Sequence, residues 1–252
     1  MKLVCFLCVA LTAWGQGPVF EVASVKPTQS LREGTSIRNE PGRFEVEHTT
    51  LFQLIQYALP AQDFQVAGGP GWIRDARFDI EAKFDPADSD GKDPADRFAR
   101  IRSRLMHLLE DRFQLQVHEE QREMPIYELG VEKSGIRMKA ATPLGNVNMN
   151  GGAAGSTLSG KGMTMVRLAD ILSGIAHRPV HDATGLDGAY DVELKYSLEL
   201  AAPDAAASAK DSSVSYPSLF TALQEQLGLR LTGKKGMAPV WVVVRAEMPT
   251  EN

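Results

Sequence analysis

Apolar and polar residues alternate along several short segments of this chain, and such alternation is typical of a β-strand with one buried face. The clearest example is RFDIEAKF at 77–84. Related patterns rich in β-branched and aromatic residues predict further strands, at 19–25, 43–48, 64–67, 113–119 and 126–133. Apolar residues three and four positions apart instead predict helices, at 51–58, 94–111, 164–173 and 218–227.

Strands and helices follow one another without the long buried apolar runs of parallel sheets. The pattern therefore predicts an α+β fold of largely antiparallel sheets, each with one or two covering helices. Thr49 or Thr50 is placed to cap the helix at 51–58, and Pro60 is expected to end it.

The second half of the chain resembles the first. Leu105–Lys133 aligns without a gap on Leu219–Glu247, 114 positions later. Arg77–Phe84 aligns on Ala189–Tyr196 after 112 positions, and TTLFQLI at 49–55 on MTMVRLA after 114. Because three blocks keep one order, we predict two pseudo-symmetric repeats at 20–133 and 134–247, followed by a tail at 248–252.

The N-terminus has the pattern of a secretory signal peptide at 1–15. Lys2 precedes the apolar run Leu3–Ala13, and Ala13-Trp14-Gly15 fits a cleavage site before Gln16. We therefore expect a secreted or periplasmic protein, with an uncleaved anchor as the alternative. Both cysteines lie in this segment, so a mature chain would contain no disulfide and no cysteine nucleophile.

Composition excludes two further classes. The net charge is -5, without a basic stripe, whereas nucleic acid binding needs clustered positive charge. Nothing after the signal segment approaches 18 consecutive apolar residues, so no later membrane span is predicted.

Several motifs for metal or nucleotide binding are incomplete. GSTLSGKG at 155–162 has Gly162 where a P-loop needs Ser or Thr, so we predict a flexible loop there. DSDG at 88–91 lacks the flanking ligands of an EF-hand. HEEQR at 118–122 has Arg122 in place of the second zinc-protease histidine, and it has a strand pattern. Pro179 interrupts the helix that would align His177 with His181. No metal and no cofactor is therefore predicted.

A few side chains remain as candidates for a binding site, namely Trp72, His118, Arg122, His177 and Asp182. Trp72 follows a Gly-Gly-Pro-Gly turn, where it would stack on a ligand or, as we favour, close its own core. The recurring pairs Asp79/Asp191 and Glu81/Glu193 are read as solvated sheet faces rather than as catalytic carboxylates.

Six segments together resemble one large family of exported proteins of unknown function from soil bacteria, named for that habitat. The segments are FEVASVKP at 20–27, GGPGW with RFDIEAKF at 68–84, LLEDRFQLQVHEEQREMPIYEL at 108–129, TGLDGAYDVEL at 184–194, ALQEQLGLRL at 222–231 and EMPTEN at 247–252. The same domain forms the outer module of some BlaR-type membrane metallopeptidase sensors. The resemblance implies export and the fold, and it implies no catalytic residue.

The sequence favours a non-enzymatic binding or sensory module with an unknown small-molecule or envelope protein partner. A groove between the repeats is the expected site, because ligand pockets favour such interfaces. One alternative is a structural or protein-interaction role in the envelope. Another is an envelope hydrolase that brings together His118, Glu120, His177 and Asp182.

Overall fold

The computed structural model describes residues 18–29, 34–89, 94–143, 146–152, 155–197 and 216–249. Within them the chain forms three four-stranded sheets and five α-helices. Three predicted features lie wholly or partly outside these residues: the signal peptide at 1–15, the DSDG motif at 88–91 and the end of the tail at 248–252. Within the described part, no helix is both long and apolar enough to cross a membrane.

The strands are β1 (Val22–Pro27), β2 (Ser36–Glu40), β3 (Arg43–Thr50), β4 (Val66–Gly68), β5 (Arg77–Lys83), β6 (Gln116–Val131), β7 (Lys139–Ala141), β8 (Asn146–Gly152), β9 (Gly155–Thr164), β10 (Val180–Asp182), β11 (Ala189–Tyr196) and β12 (Leu229–Arg245). The helices are α1 (Leu51–Ala58), α2 (Trp72–Asp75), α3 (Pro94–Phe113), α4 (Met165–Ala176) and α5 (Leu219–Ala222), which continues as a π-helix over Leu223–Leu227.

The chain divides into two compact units. Unit 1 comprises Met1–Ala61, Gly68–His118 and Val242–Asn252, and unit 2 comprises Gln62–Ala67 and Glu119–Trp241. These bounds differ from those of the predicted repeats, because β6 and β12 each supply residues to both units. The repeat boundaries at 20–133 and 134–247 therefore stay a prediction.

Unit 1 contains an antiparallel sheet in the order β1-β5-β3-β2. The helix α1 begins at the N-cap Thr50, whose hydroxyl accepts a hydrogen bond from the Gln53 N–H at 3.2 Å. Alternate residues of β5, the apolar stripe of α3 and the apolar face of α1 are buried. The core of unit 1 includes Phe44, Val46, Leu54, Ile55, Phe78, Ile80, Ile101, Leu105, Leu109 and Phe113.

Unit 2 contains an antiparallel sheet in the order β7-β11-β9-β8. The helix α4 begins at the N-cap Thr164, and α5 begins at the N-cap Ser218. Their apolar faces bury one side of the sheet, with a core that includes Leu158, Met163, Leu168, Leu172, Val192, Leu194, Tyr196, Leu219 and Leu223.

The remaining sheet has the order β10-β6-β12-β4, and its β10–β6 pair is parallel. The prediction of two strands at 113–119 and 126–133, separated near Pro125, is wrong, because β6 is continuous. Proline has no N–H to donate to a neighbouring strand. Strand β10 pairs with Tyr127–Leu129 only, which begins two residues after Pro125, so this pairing does not require a hydrogen bond from the proline.

The prediction of a flexible loop over GSTLSGKG at 155–162 is also wrong. This segment lies in β9, where Ser156–Lys161 pairs with Asn146–Gly151 of β8. Backbone hydrogen bonds do not depend on side-chain type, and Leu158 anchors the strand because it is completely buried.

The predicted α+β class with largely antiparallel sheets and covering helices is confirmed. The sheets of the two units also have corresponding strand orders, β1-β5-β3-β2 and β7-β11-β9-β8. The internal duplication remains an inference from the sequence, with which these orders are consistent.

Candidate functional site

Unit 2 carries a surface cavity of about 580 Å³, a size ordinary for small-molecule sites. Four strands (β7, β8, β9 and β11), the segment before β7 and the π-helix contribute its polar side chains. They are Arg137, Lys139, Asn148, Ser159, Lys161, Asp191, Glu193 and Gln226.

Strand register sets the spacing of the polar residues. Asn148, Ser159 and Glu193 lie opposite one another on β8, β9 and β11, and therefore form a row across the sheet. Lys139 of β7 lies opposite Asp191 of β11 in the same way. The alternation that buries Val192 and Leu194 turns the charged residues of β11 to the other face.

The π-helix forms one wall of the cavity through Gln226 and Leu227. Single π-turns are uncommon and occur often at functional sites. The Arg137 guanidinium donates a hydrogen bond to the Glu225 carbonyl oxygen at 2.6 Å, which ties the cavity wall to the segment before β7. Gly228 ends the π-helix in the left-handed conformation with φ 67°.

The charges of the cavity are only partly compensated. Asp191 Oδ1 accepts the Gly162 N–H at 3.2 Å, and Glu193 lies 3.5 Å from the Lys195 ammonium. Among the described residues, the ammonium groups of Lys139 and Lys161 form no ion pair. The cavity therefore has a cationic side that suits a carboxylate or phosphate group.

Trp72 lies in unit 1 and is half-buried. Its ring stacks on Phe113 with 6.4 Å between centroids and meets the edge of Phe78 at the same distance. Phe78 and Phe113 are themselves in contact at 5.1 Å. The tryptophan therefore extends an aromatic cluster of the core, which matches the favoured interpretation of its position.

His118 and Arg122 lie on exposed positions of β6. Arg122 forms an ion pair with Glu120, and both side chains are substantially exposed, at 44% and 38%. A surface pair of this kind contributes little to stability.

His177 directly follows α4, and Asp182 is the last residue of β10. His177 is the left-handed C-cap residue with φ 47°, and its Nδ1 lies 3.7 Å from Asp63 Oδ1. Asp182 accepts hydrogen bonds from the Thr184 N–H at 2.9 Å and the Thr184 hydroxyl at 2.7 Å. The Asp182 contacts are local, whereas the His177 contact is long-range, and these contacts join neither residue to another member of the hydrolase set. No group of three possible metal ligands occurs in the described part of the chain.

None of the five candidate residues lines the cavity. Two sequence signals lie at the site. Lys161 is part of GSTLSGKG, which was interpreted as a loop, and Asp191 and Glu193 belong to the recurring carboxylate pairs, which were interpreted as a solvated sheet face. Arg137, Lys139 and Gln226 carry no motif, because strand register and the π-helix bring them together.

A family model described as a protein of unknown function (DUF3738) matches residues 52–246. No curated protein and no solved structure matches the chain. The match extends from α1 to the end of β12 and covers most of the chain, so the protein belongs to the DUF3738 family of unknown function.

Proposed function

We propose that this protein is an exported, non-enzymatic binding or sensory module that holds a small anionic or polar ligand in the cavity of unit 2. The observation that carries the proposal is the pair of ammonium groups, on Lys139 and Lys161, that line a ligand-sized cavity without an ion-pair partner in the described chain. An anionic group placed there would form charge-assisted hydrogen bonds.

Export is supported by the N-terminal pattern of Lys2 followed by an apolar run and Ala13-Trp14-Gly15. A sensory role is supported by the resemblance to the outer module of BlaR-type sensors. Cell fractionation with an antibody to the full chain tests export directly. Recovery of the protein only from the cytoplasm would refute this part of the proposal.

A thermal-shift screen tests ligand binding. The panel contains inorganic phosphate, short peptides, oligosaccharides, cell-wall fragments, β-lactams and divalent metals. A ligand that binds only the folded state raises stability by about 2.7 kcal/mol at a hundredfold excess over Kd.

The chain offers a matched control for this screen. Lys26 lies opposite Asp79 in unit 1, as Lys139 lies opposite Asp191 in unit 2. We expect the Lys139→Ala and Lys161→Ala variants to weaken the shift and Lys26→Ala to preserve it. A panel without any shift would refute the cavity as a small-molecule site and direct crosslinking toward an envelope protein partner.

A further inference from the structure

The edge of β11 beside the cavity has a shorter neighbour than the corresponding edge in unit 1. Strand β1 pairs with β5 over six residues, from Val22 opposite Lys83 to Pro27 opposite Phe78. Strand β7 pairs with β11 over only three, with Lys139 opposite Asp191 at one end. Since β5 and β11 align in sequence, unit 2 has a similar strand that β7 pairs over Ala189–Asp191 only, because the Arg137 N–H before β7 donates to the Leu227 carbonyl oxygen instead.

A side chain takes over one of the missing strand positions. The Lys195 N–H donates to Gln226 Oε1 at 2.9 Å, and Gln226 Nε2 donates to the Lys195 carbonyl oxygen at 2.8 Å. A neighbouring antiparallel strand makes the same two hydrogen bonds. In unit 1 the aligned residue is Arg112, which donates to the Ala23 carbonyl oxygen of β1 itself at 3.4 Å.

Glu193 lies on β11 between Asp191, which pairs with β7, and Lys195, whose main chain is hydrogen-bonded to the Gln226 side chain. Glu193 also lines the cavity. Main-chain groups point to alternate sides along a strand, so the N–H and C=O of Glu193 face the same side as those of Lys195. The counterpart of Glu193 in unit 1 is Glu81, which lies opposite Ser24 of β1. In β1, the second residue after Ser24 is Lys26, which lies opposite Asp79 as Lys139 lies opposite Asp191. A chain that paired with Glu193 and ran in the direction of β1 would therefore point its C-terminal end toward Lys139.

We propose that the cavity binds the carboxyl-terminal end of an extended peptide, an inference that rests on the proposed function. The last residue pairs with Glu193 as Ser24 pairs with Glu81. Its N–H donates to the Glu193 carbonyl oxygen, and one carboxylate oxygen accepts the Glu193 N–H. The other carboxylate oxygen meets the cationic groups of Arg137, Lys139 and Lys161. Strand addition supplies main-chain hydrogen bonds, and the cations select the free terminus.

The test is an NMR titration of the ¹⁵N-labelled full chain with N-acetyl-alanyl-serine, which has the sequence of residues 23–24. Two altered probes accompany it: the C-terminal amide, and a version methylated on the serine nitrogen. Inorganic phosphate is the fourth probe. We expect the free acid to shift the Glu193 amide signal saturably, and either alteration to weaken binding at least about tenfold.

Variants locate the carboxylate. Lys139→Ala should weaken binding of the free acid while Lys26→Ala leaves it unchanged, and circular dichroism shows that each variant is folded. Equal binding of the acid and the amide, or of the acid and the methylated probe, overturns the inference. Binding of phosphate but not of the acid, with loss in Lys139→Ala, overturns the peptide assignment and leaves the anion-binding function standing. If no probe and no member of the thermal-shift panel binds, both proposals fail.

Discussion

The main-chain N–H of His48 donates a hydrogen bond to Oδ1 of Asp79 at 2.8 Å. Gly162 donates to Oδ1 of Asp191 in the same way at 3.2 Å. His48 and Gly162 both have positive φ, 56° and 61°, and both lie in β-bulges where the pairing register of their strand shifts. Asp79 and Asp191 therefore each stabilise a β-bulge in one of two corresponding sheets. This role explains why aspartate recurs at the two positions more specifically than exposure to solvent does.

Replacement of Asp79 by Ala is expected to lower the free energy of unfolding by about 1–3 kcal/mol, because the partly buried N–H of the bulge loses its acceptor. The same carboxylate oxygen accepts the Thr28 hydroxyl at 2.7 Å, so two donors are left without it. Urea unfolding of the full chain measures the change. Glu81→Ala, at an exposed position of the same strand, is the control, and an equal loss in both variants would contradict the role of Asp79.

His48→Gly is expected to raise the free energy of unfolding by about 0.5–1 kcal/mol. A non-glycine residue in the left-handed region costs about 1–2 kcal/mol, which exceeds the added backbone entropy of glycine. The His48 Nδ1 atom is also buried, and it has no hydrogen-bond partner within the described part of the chain. Gly162→Ala should lower the free energy of unfolding for the converse reason. Urea midpoints that move in the same direction for both variants would contradict this account.

Local signals in the sequence predicted the helices well. The helix at 51–58 is found as predicted, and of the two predicted capping residues, Thr49 and Thr50, it is Thr50 that caps it through a short-range capping box. The continuous strand β6 was not predicted, because whether Pro125 interrupts a strand depends on where β10 pairs. The strands β8 and β9 were missed, because their Gly-rich and Asn-rich sequence lacks β-propensity and is held by pairing.

The cavity was beyond prediction from the sequence for a related reason. Lys139 faces Asp191 through strand register, and Gln226 reaches Lys195 through a π-turn, while the aligned segment around Arg112 belongs to an α-helix. Neither relationship has a local signature. The candidate histidines and Arg122 were chosen for their chemistry, and they occupy exposed surface or a helix end instead.

Stability at alkaline pH is expected to depend on Tyr196. Burial raises the pKa of this phenol, and a hydrogen bond with Ser156 lowers it in part. The unfolded chain therefore loses the proton first as the pH rises past about 10, and the free energy of unfolding falls. Tyr196→Phe should flatten this fall between about pH 9 and 11, and parallel curves for the two proteins would contradict the assignment.

Gly228→Ala is expected to destabilise the chain far more than Gly185→Ala. Both glycines have positive φ, 67° and 64°, so both substitutions carry the same backbone strain of about 1–2 kcal/mol. A Cβ atom at Gly228 would collide with the Gly135 carbonyl oxygen, whereas one at Gly185 would meet nothing within 4 Å. We therefore expect a loss of at least about 3 kcal/mol at Gly228, from strain and overpacking together. Urea unfolding compares the two variants, and equal losses would show that the turn after the π-helix yields to the added atom.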